Sequence, residues 1–268
     1  MASPSANSEL TKRIISAVIL APIVIFMAWL GGIFFGIMMA VIAVLMYWEW
    51  TVMTQQSILL PRDIFAVLCV LALVIAEYVG GTTMPILFSF VAIVIGLIVI
   101  VTVKHKLGWT IAGIGVGSSL ATCLIYLRGI EASGLGLLFF LCFSVWAADI
   151  FAYIVGRTVG GPKLMPRVSP KKTWSGFLGG AAGAVIVGAL VASYLFEANT
   201  VLFAGLAFLT ALAAQVGDLL ESYIKRRFNV KDSSNLIPGH GGILDRVDGL
   251  VFSAYVFVAC YVLGVAQF

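Results

Sequence analysis

The stretch Pro85–Val103, PILFSFVAIVIGLIVIVTV, runs for nineteen residues without a charged side chain. As a helix rising ~1.5 Å per residue it reaches close to the ~30 Å of a bilayer's hydrocarbon. Similar apolar runs recur along the chain, at roughly 14–30, 33–50, 64–79, 85–103, 109–127, 135–156, 176–196, 200–221 and 249–267. The third is short, and the sixth is interrupted by Asp149. In lipid such runs must be helical, because unpaired backbone groups find no water there. A hydrophobic content of 62% over 268 residues excludes a soluble globular domain. The expected fold is therefore an all-α integral membrane protein of about nine transmembrane helices. Lys12 and Arg13 precede a first run too long for a signal peptide, and no small-x-small cleavage site follows. That segment is expected to stay as a membrane helix.

Charge sets the orientation. With a cytoplasmic N-terminus and nine spans, the cytoplasmic segments hold 15 of the 16 Lys and Arg residues, and only Arg128 falls outside. Such an asymmetry is the positive-inside pattern, and a missed helix would scramble it. The formal net charge of +4 then reports topology and anionic substrates rather than nucleic acid. Cys69, Cys123, Cys142 and Cys260 lie inside apolar runs with no CxxC spacing, so they read as membrane-core packing. The chain reads as one polytopic membrane domain, 1–268. Residues 1–130 are scaffold helices, and 131–268 are catalytic helices with cytoplasmic loops 157–175 and 223–246. The glycines of the seventh run, Gly176, Gly179, Gly180, Gly183 and Gly188, read as close helix–helix packing.

Three polar constellations break the apolar background. Asp149, within WAADIFAYIVGRTVGG (146–161), is an acidic residue at an expensive depth, with Trp146 and Tyr153 on its helical face. The segment 160–176, GGPKLMPRVSPKKTWSG, is basic and rich in Gly and Pro. There Ser169, Lys171, Lys172 and Thr173 precede a helix start, which also favours anions. The third window is SYIKRRFNVKDSSNLIPGHGGILDRVD, Ser222–Asp248. Just before and within it, Asp218, Glu221, Ser222 and Lys225 follow i, i+3, i+4, i+7 spacing, one stripe of a helix. Asp245 and Asp248 follow a Gly/Pro/His turn. Carboxylates on both sides of a basic segment suit metal-dependent phosphate chemistry. Glu49 and Glu77, isolated near helix ends, read as interfacial, and His105 as a solvated loop residue.

At these residues the sequence resembles the phosphatidate cytidylyltransferase (CDP-diacylglycerol synthase) family. The resemblance is carried by Ser222-x2-Lys225-Arg226-x4-Lys231-Asp232-x5-Pro238-Gly239-His240-Gly241-Gly242-x2-Asp245-Arg246-x-Asp248. Two further blocks are similar: Trp146-x2-Asp149-x2-Ala152-Tyr153-x2-Gly156-Arg157, and Ser169-Pro170-Lys171-Lys172-Thr173 with Gly176. One departure stands out. The family usually has an acidic residue where this chain has Ser175.

The resemblance implies conversion of CTP and phosphatidate to CDP-diacylglycerol and pyrophosphate. It implies Mg²⁺ as cofactor, with room for a second cation. CTP, phosphatidate and membrane lipid are the partners, nucleic acid is not, and a homodimer is compatible with it. Asp218, Asp245 and Asp248 are then metal ligands and catalytic residues, with Asp149 as a further metal candidate. Lys225 is catalytic, and Ser169, Lys171, Lys172, Thr173, Ser222, Arg226 and His240 contact substrate. The location implied is the inner membrane, with the site on its cytoplasmic side. The alternative from another class is an ion-coupled membrane transporter, which also uses intramembrane carboxylates. Against it, the polar residues cluster towards one side and no inverted repeat is visible.

Overall fold

The structure, a computed structural model, describes residues 6–54, 61–102, 106–196 and 199–265. Lys104 and His105, and the side chains of Lys12, Arg13 and Lys106, lie outside the described residues. The described chain contains α1 (Ala6–Leu30), α2 (Gly32–Met53), α3 (Pro61–Gly80), α4 (Met84–Thr102), α5 (Lys106–Gly129) and α6 (Gly134–Thr158). A hairpin of β1 (Lys163–Met165) and β2 (Ser169–Thr173) follows, then α7 (Trp174–Leu195), α8 (Thr200–Arg227) and α9 (Leu244–Val262). Seven of these helices, α2 to α8, are long and apolar enough to cross a membrane. The third run is a full 20-residue helix, and the sixth passes Asp149 without a break. Large apolar side chains such as Ile33, Ile37 and Val41 of α2 and Leu87, Phe88 and Ile95 of α4 point outward. Lipid is the solvent for which such faces are built.

Two differences from the sequence reading concern the polar segments. The 157–175 loop contains a short antiparallel hairpin, pairing Lys163 with Thr173 and Met165 with Ser169. Gly160 and Gly161, at φ +67° and +101°, turn the chain out of α6 into it, as only glycine does without strain. The helix before the 223–246 loop runs on to Arg227, so the stripe from Asp218 to Lys225 is helical.

The chain divides into two compact units. The first is Met1–Gly129 with Val230–Val247, and the second is Ile130–Asn229 with Asp248–Phe268. In the first, α5 is the most enclosed helix, packed by α2, α3 and α4. Trp50 of α2 donates its indole N–H to the Trp109 carbonyl at 2.8 Å. Arg128, the one basic residue outside the charge pattern, has a structural task. Its guanidinium donates to the carbonyls of Ala28 (2.7 Å) and Trp29 (3.1 Å), capping the end of α1 with a cation. Glu49 and Glu77 are not interfacial in this unit. They are 0% and 1% exposed, and among the described residues Glu77's oxygens have no hydrogen-bond partner.

In the second unit α6 and α7 pack through small residues. A Cβ on Gly180 would lie 2.7 Å from the Ala148 carbonyl oxygen, so the backbones approach as the glycine-rich sequence predicts. Phe140 centres an aromatic cluster with Phe203 and Phe257, ring centroids 5.0 and 5.4 Å away. Ser253 of α9 donates to the Thr210 carbonyl of α8 at 2.8 Å. The four cysteines are free thiols.

Candidate active site

The second unit gathers charge where α6, α8, β2 and the start of α9 present their polar residues. Asp218 is the hub of one half. Its carboxylate meets Lys172 Nζ of β2 at 2.5 Å and accepts from the Ser222 hydroxyl at 3.3 Å, one helical turn along. Glu221 is the hub of the other half and is 8% exposed. Lys225 Nζ donates to its Oε2 at 2.9 Å, an i,i+4 pair on α8. The Glu221 side chain also lies within hydrogen-bond reach of Asp248, carboxyl against carboxyl. Its Oε1 is buried and has no donor among the described residues. Asp248 Oδ1 accepts from the Gly249 N–H at 2.7 Å. Asp149 of α6 sits in the field of Asp218, Asp248 and Lys172. Four carboxylates thus face two ammonium groups.

The hairpin is tied to this cluster. Lys172 bridges to Asp218, and Arg226 Nε donates to the Val168 carbonyl at 3.4 Å, holding the hairpin turn against α8. Lys171 and Pro170 are exposed on β2, and Ser169 is half-buried. Thr173, expected to contact substrate, is buried, and its hydroxyl accepts from the Gly176 N–H at 3.1 Å as the N-cap of α7. Ser175, at the usually acidic position, donates its hydroxyl to the Gly160 carbonyl and closes the base of the hairpin. A carboxylate has no proton to give that carbonyl, so the departure has a local structural counterpart here.

The first unit holds the glycine turn. Asp245 accepts from the Ser233 N–H at 3.0 Å, the Ser233 hydroxyl at 3.0 Å and the Gly242 N–H at 2.8 Å. His240 Nδ1 lies 2.8 Å from the Ser16 hydroxyl of α1, and Arg246 Nε donates to the His240 carbonyl at 2.9 Å. Glu49, from α2, sits beneath the turn. Its Oε1 accepts from the Ser234 hydroxyl (2.7 Å) and the Ile243 N–H (2.8 Å). Its Oε2 accepts from the Leu244 N–H (2.7 Å) and lies 3.2 Å from the Ser233 hydroxyl.

Sequence reasoning missed two of these residues. Glu221 stood on the quoted stripe but received no role, and Glu49 was assigned to the interface. The i+3 and i+4 spacing around Glu221 was the available signal. Nothing near Glu49 in the sequence marks it.

The donor set can be tested against a divalent cation. Among the described residues no three His, Cys, Asp or Glu side chains converge on one point. The Glu221–Asp248 pair does converge, with a buried oxygen that lacks a donor. Mg²⁺ is commonly held by one or two carboxylates, its remaining positions filled by water and substrate phosphates, so this pair fits it.

Membrane-length helices carrying a carboxylate cluster, two paired lysines and a basic hairpin define an integral membrane protein built to handle a polyanion. The chain belongs to the Cytidylyltransferase family, whose model matches residues 11–263. It is 40% identical to the phosphatidate cytidylyltransferase of Brucella abortus (strain 2308), over 95% of both chains. It is 34% identical to that of Rickettsia bellii (strain RML369-C), over 95% of this chain and 91% of the relative. With that of Rickettsia prowazekii (strain Madrid E) it shares 43% identity over 142 residues.

Proposed function

We infer that this multi-pass membrane protein is a phosphatidate cytidylyltransferase, making CDP-diacylglycerol and pyrophosphate from CTP and phosphatidate. The observation that carries the chemistry is the Glu221–Asp248 carboxyl pair, with Glu221 buried, bordered by Asp218 and Asp149 and by Lys172 and Lys225. A phosphate oxygen of phosphatidate attacks the α-phosphorus of CTP. The bond from that phosphorus to the oxygen bridging to the β-phosphate breaks, and pyrophosphate leaves with the electron pair. The nucleophile is already an anion, so no strong general base is needed. Both substrates are polyanions, and charge neutralisation with positioning supplies most of the catalysis.

Asp248 and Glu221 would hold Mg²⁺, and a second cation would draw on these and on the neighbouring Asp218 and Asp149. Asp245, held by Ser233 and Gly242 in the first unit, is a further proposed metal-holding residue. When bound, the metal would supply positive charge at the phosphate oxygens. Lys172 and Lys225 hold the carboxylates in place and present ammonium charge towards the anions. Lys171, Ser169 and Ser222 are the proposed phosphate contacts. Arg226 and Thr173 shape the hairpin that carries them, and His240 is placed by Ser16. On the positive-inside rule the hairpin and the 230–247 segment face the cytoplasm, where CTP is found.

The test uses purified protein in detergent with labelled CTP, phosphatidate and Mg²⁺. Label in a lipid-soluble product, with equimolar pyrophosphate, is the expected result. Neither would appear if the protein were an ion-coupled carrier, and release of CMP from a CDP-lipid would indicate a different transferase.

A further inference from the structure

We propose that Glu49 is a positioning residue for the cytidylyl transfer, fixing the first turn of α9 and thereby the placement of Asp245. The proposal rests on the reading of Asp245 as a metal-holding residue. Glu49 lies on α2, 184 to 195 residues away in sequence from the groups it binds. It is fully buried, and among the described residues no Lys or Arg forms an ion pair with it. Its charge is met by hydrogen-bond donors and by the N-terminal end of α9, where backbone N–H groups point at an anion.

The match is specific. The two oxygens each take one backbone N–H at the head of α9, Ile243 for Oε1 and Leu244 for Oε2. Those are N–H groups that a helix start leaves without internal partners. The serine hydroxyls of Ser233 and Ser234 complete the shell. Ser233 then links onward, its hydroxyl 3.2 Å from Glu49 Oε2 and 3.0 Å from Asp245 Oδ2. The last glycine of the PGHGG turn leaves room for this cluster. A Cβ on Gly242 would lie 2.0 Å from the Ser233 hydroxyl oxygen and 2.6 and 2.7 Å from the two Glu49 oxygens. The turn is pressed onto the carboxylate, and Gly242 N–H is in turn donated to Asp245.

The test compares Glu49→Gln, Glu49→Asp and Asp245→Asn as full-length protein in detergent. An amide has one acceptor oxygen. However Gln is turned, its NH₂ faces the N–H of Ile243 or Leu244, and one buried donor is orphaned. For Glu49→Gln the expected result is a kcat lower by about tenfold or more with KM for CTP little changed. Mn²⁺ affinity, read by electron paramagnetic resonance without substrate, should weaken by a similar factor. Glu49→Asp keeps both acceptors and should recover part of each loss. A merely structural Glu49 would lower the yield of folded protein but leave kcat and Mn²⁺ affinity of the folded fraction as in wild type. That outcome for Glu49→Gln, with Asp245→Asn inactive, overturns this proposal alone. Unchanged turnover and Mn²⁺ binding in Asp245→Asn overturn the metal reading of Asp245, and this proposal with it. If Glu49→Gln does not fold, Ser234→Ala decides, since it removes a Glu49 donor without touching Asp245. Several-fold weaker Mn²⁺ binding supports the proposal, and wild-type binding overturns it.

Discussion

Glu221→Gln should leave the metal-free protein at least as stable as wild type while removing most of its activity. In the structure the Glu221 carboxyl faces that of Asp248, its Oε1 has no donor among the described residues, and its Oε2 is paired with Lys225 at 2.9 Å. Two unit charges ~4 Å apart at an effective dielectric near 20 repel by about 4 kcal/mol. A glutamine removes that repulsion and offers Asp248 an N–H, but it gives up the charge that Lys225 meets. A hydrogen bond to a charged group contributes about 1.5–3 kcal/mol, so the relief of repulsion is the larger effect. With Mg²⁺ the balance changes. At a hundred times its Kd, a ligand bound only to the native state stabilises wild type by ~2.7 kcal/mol. At about 2–4 °C per kcal/mol for a chain of this size, that is a Tm rise of roughly 5–10 °C. The variant should lose most of that rise, and its kcat/KM should fall by roughly a hundredfold or more, since metal supplies several kcal/mol of charge stabilisation. The assay is a pair of thermal melts, in EDTA and in saturating Mg²⁺, beside turnover of labelled CTP. Turnover within about threefold of wild type, under ~1 kcal/mol, with the Mg²⁺-dependent Tm rise intact would refute the reasoning.

Other consequences can be measured in the same preparations. Lys172→Ala and Lys171→Ala should each lower kcat/KM by roughly tenfold to a hundredfold if they meet phosphate. Lys163→Ala, exposed on β1, is the control and should change it little. Arg62 is a poor control, because it pairs with the buried Asp63 at 3.4 Å. Thr173→Ala should cost about 1 kcal/mol of stability through the lost α7 cap, a Tm drop of about 2–4 °C, with KM for CTP unchanged. A large KM rise would restore the direct phosphate contact. Cysteines placed at the exposed positions Leu236 and Glu131 should react oppositely with an impermeant reagent on intact cells, Glu131→Cys strongly and Leu236→Cys weakly. The reverse pattern would invert the orientation.

The sequence by itself determined the elements. Hydropathy is a local property, so the nine apolar runs match nine helices among the described residues, seven of them long and apolar enough to span a membrane, and an isolated Asp149 does not break one. The stripe from Asp218 to Lys225 was legible for the same reason, because i+3 and i+4 neighbours on a helix need no tertiary information. So was the close packing at Gly180. Tertiary structure alone decided which polar groups meet. In a membrane chain the residues facing lipid and those facing the core are equally apolar, so composition cannot tell a buried position from an exposed one. Glu49 therefore looked like an interfacial residue until its donors arrived from the 233–244 segment of the chain. Thr173 reads in the sequence as a phosphate contact, and only the packed structure shows that its hydroxyl caps the next helix. Lys172 and Asp218, 46 positions apart, became a pair only when the hairpin folded onto α8. A buried carboxylate is tolerable only where donors or cations compensate it, and those come from elements brought together by packing rather than by neighbouring sequence.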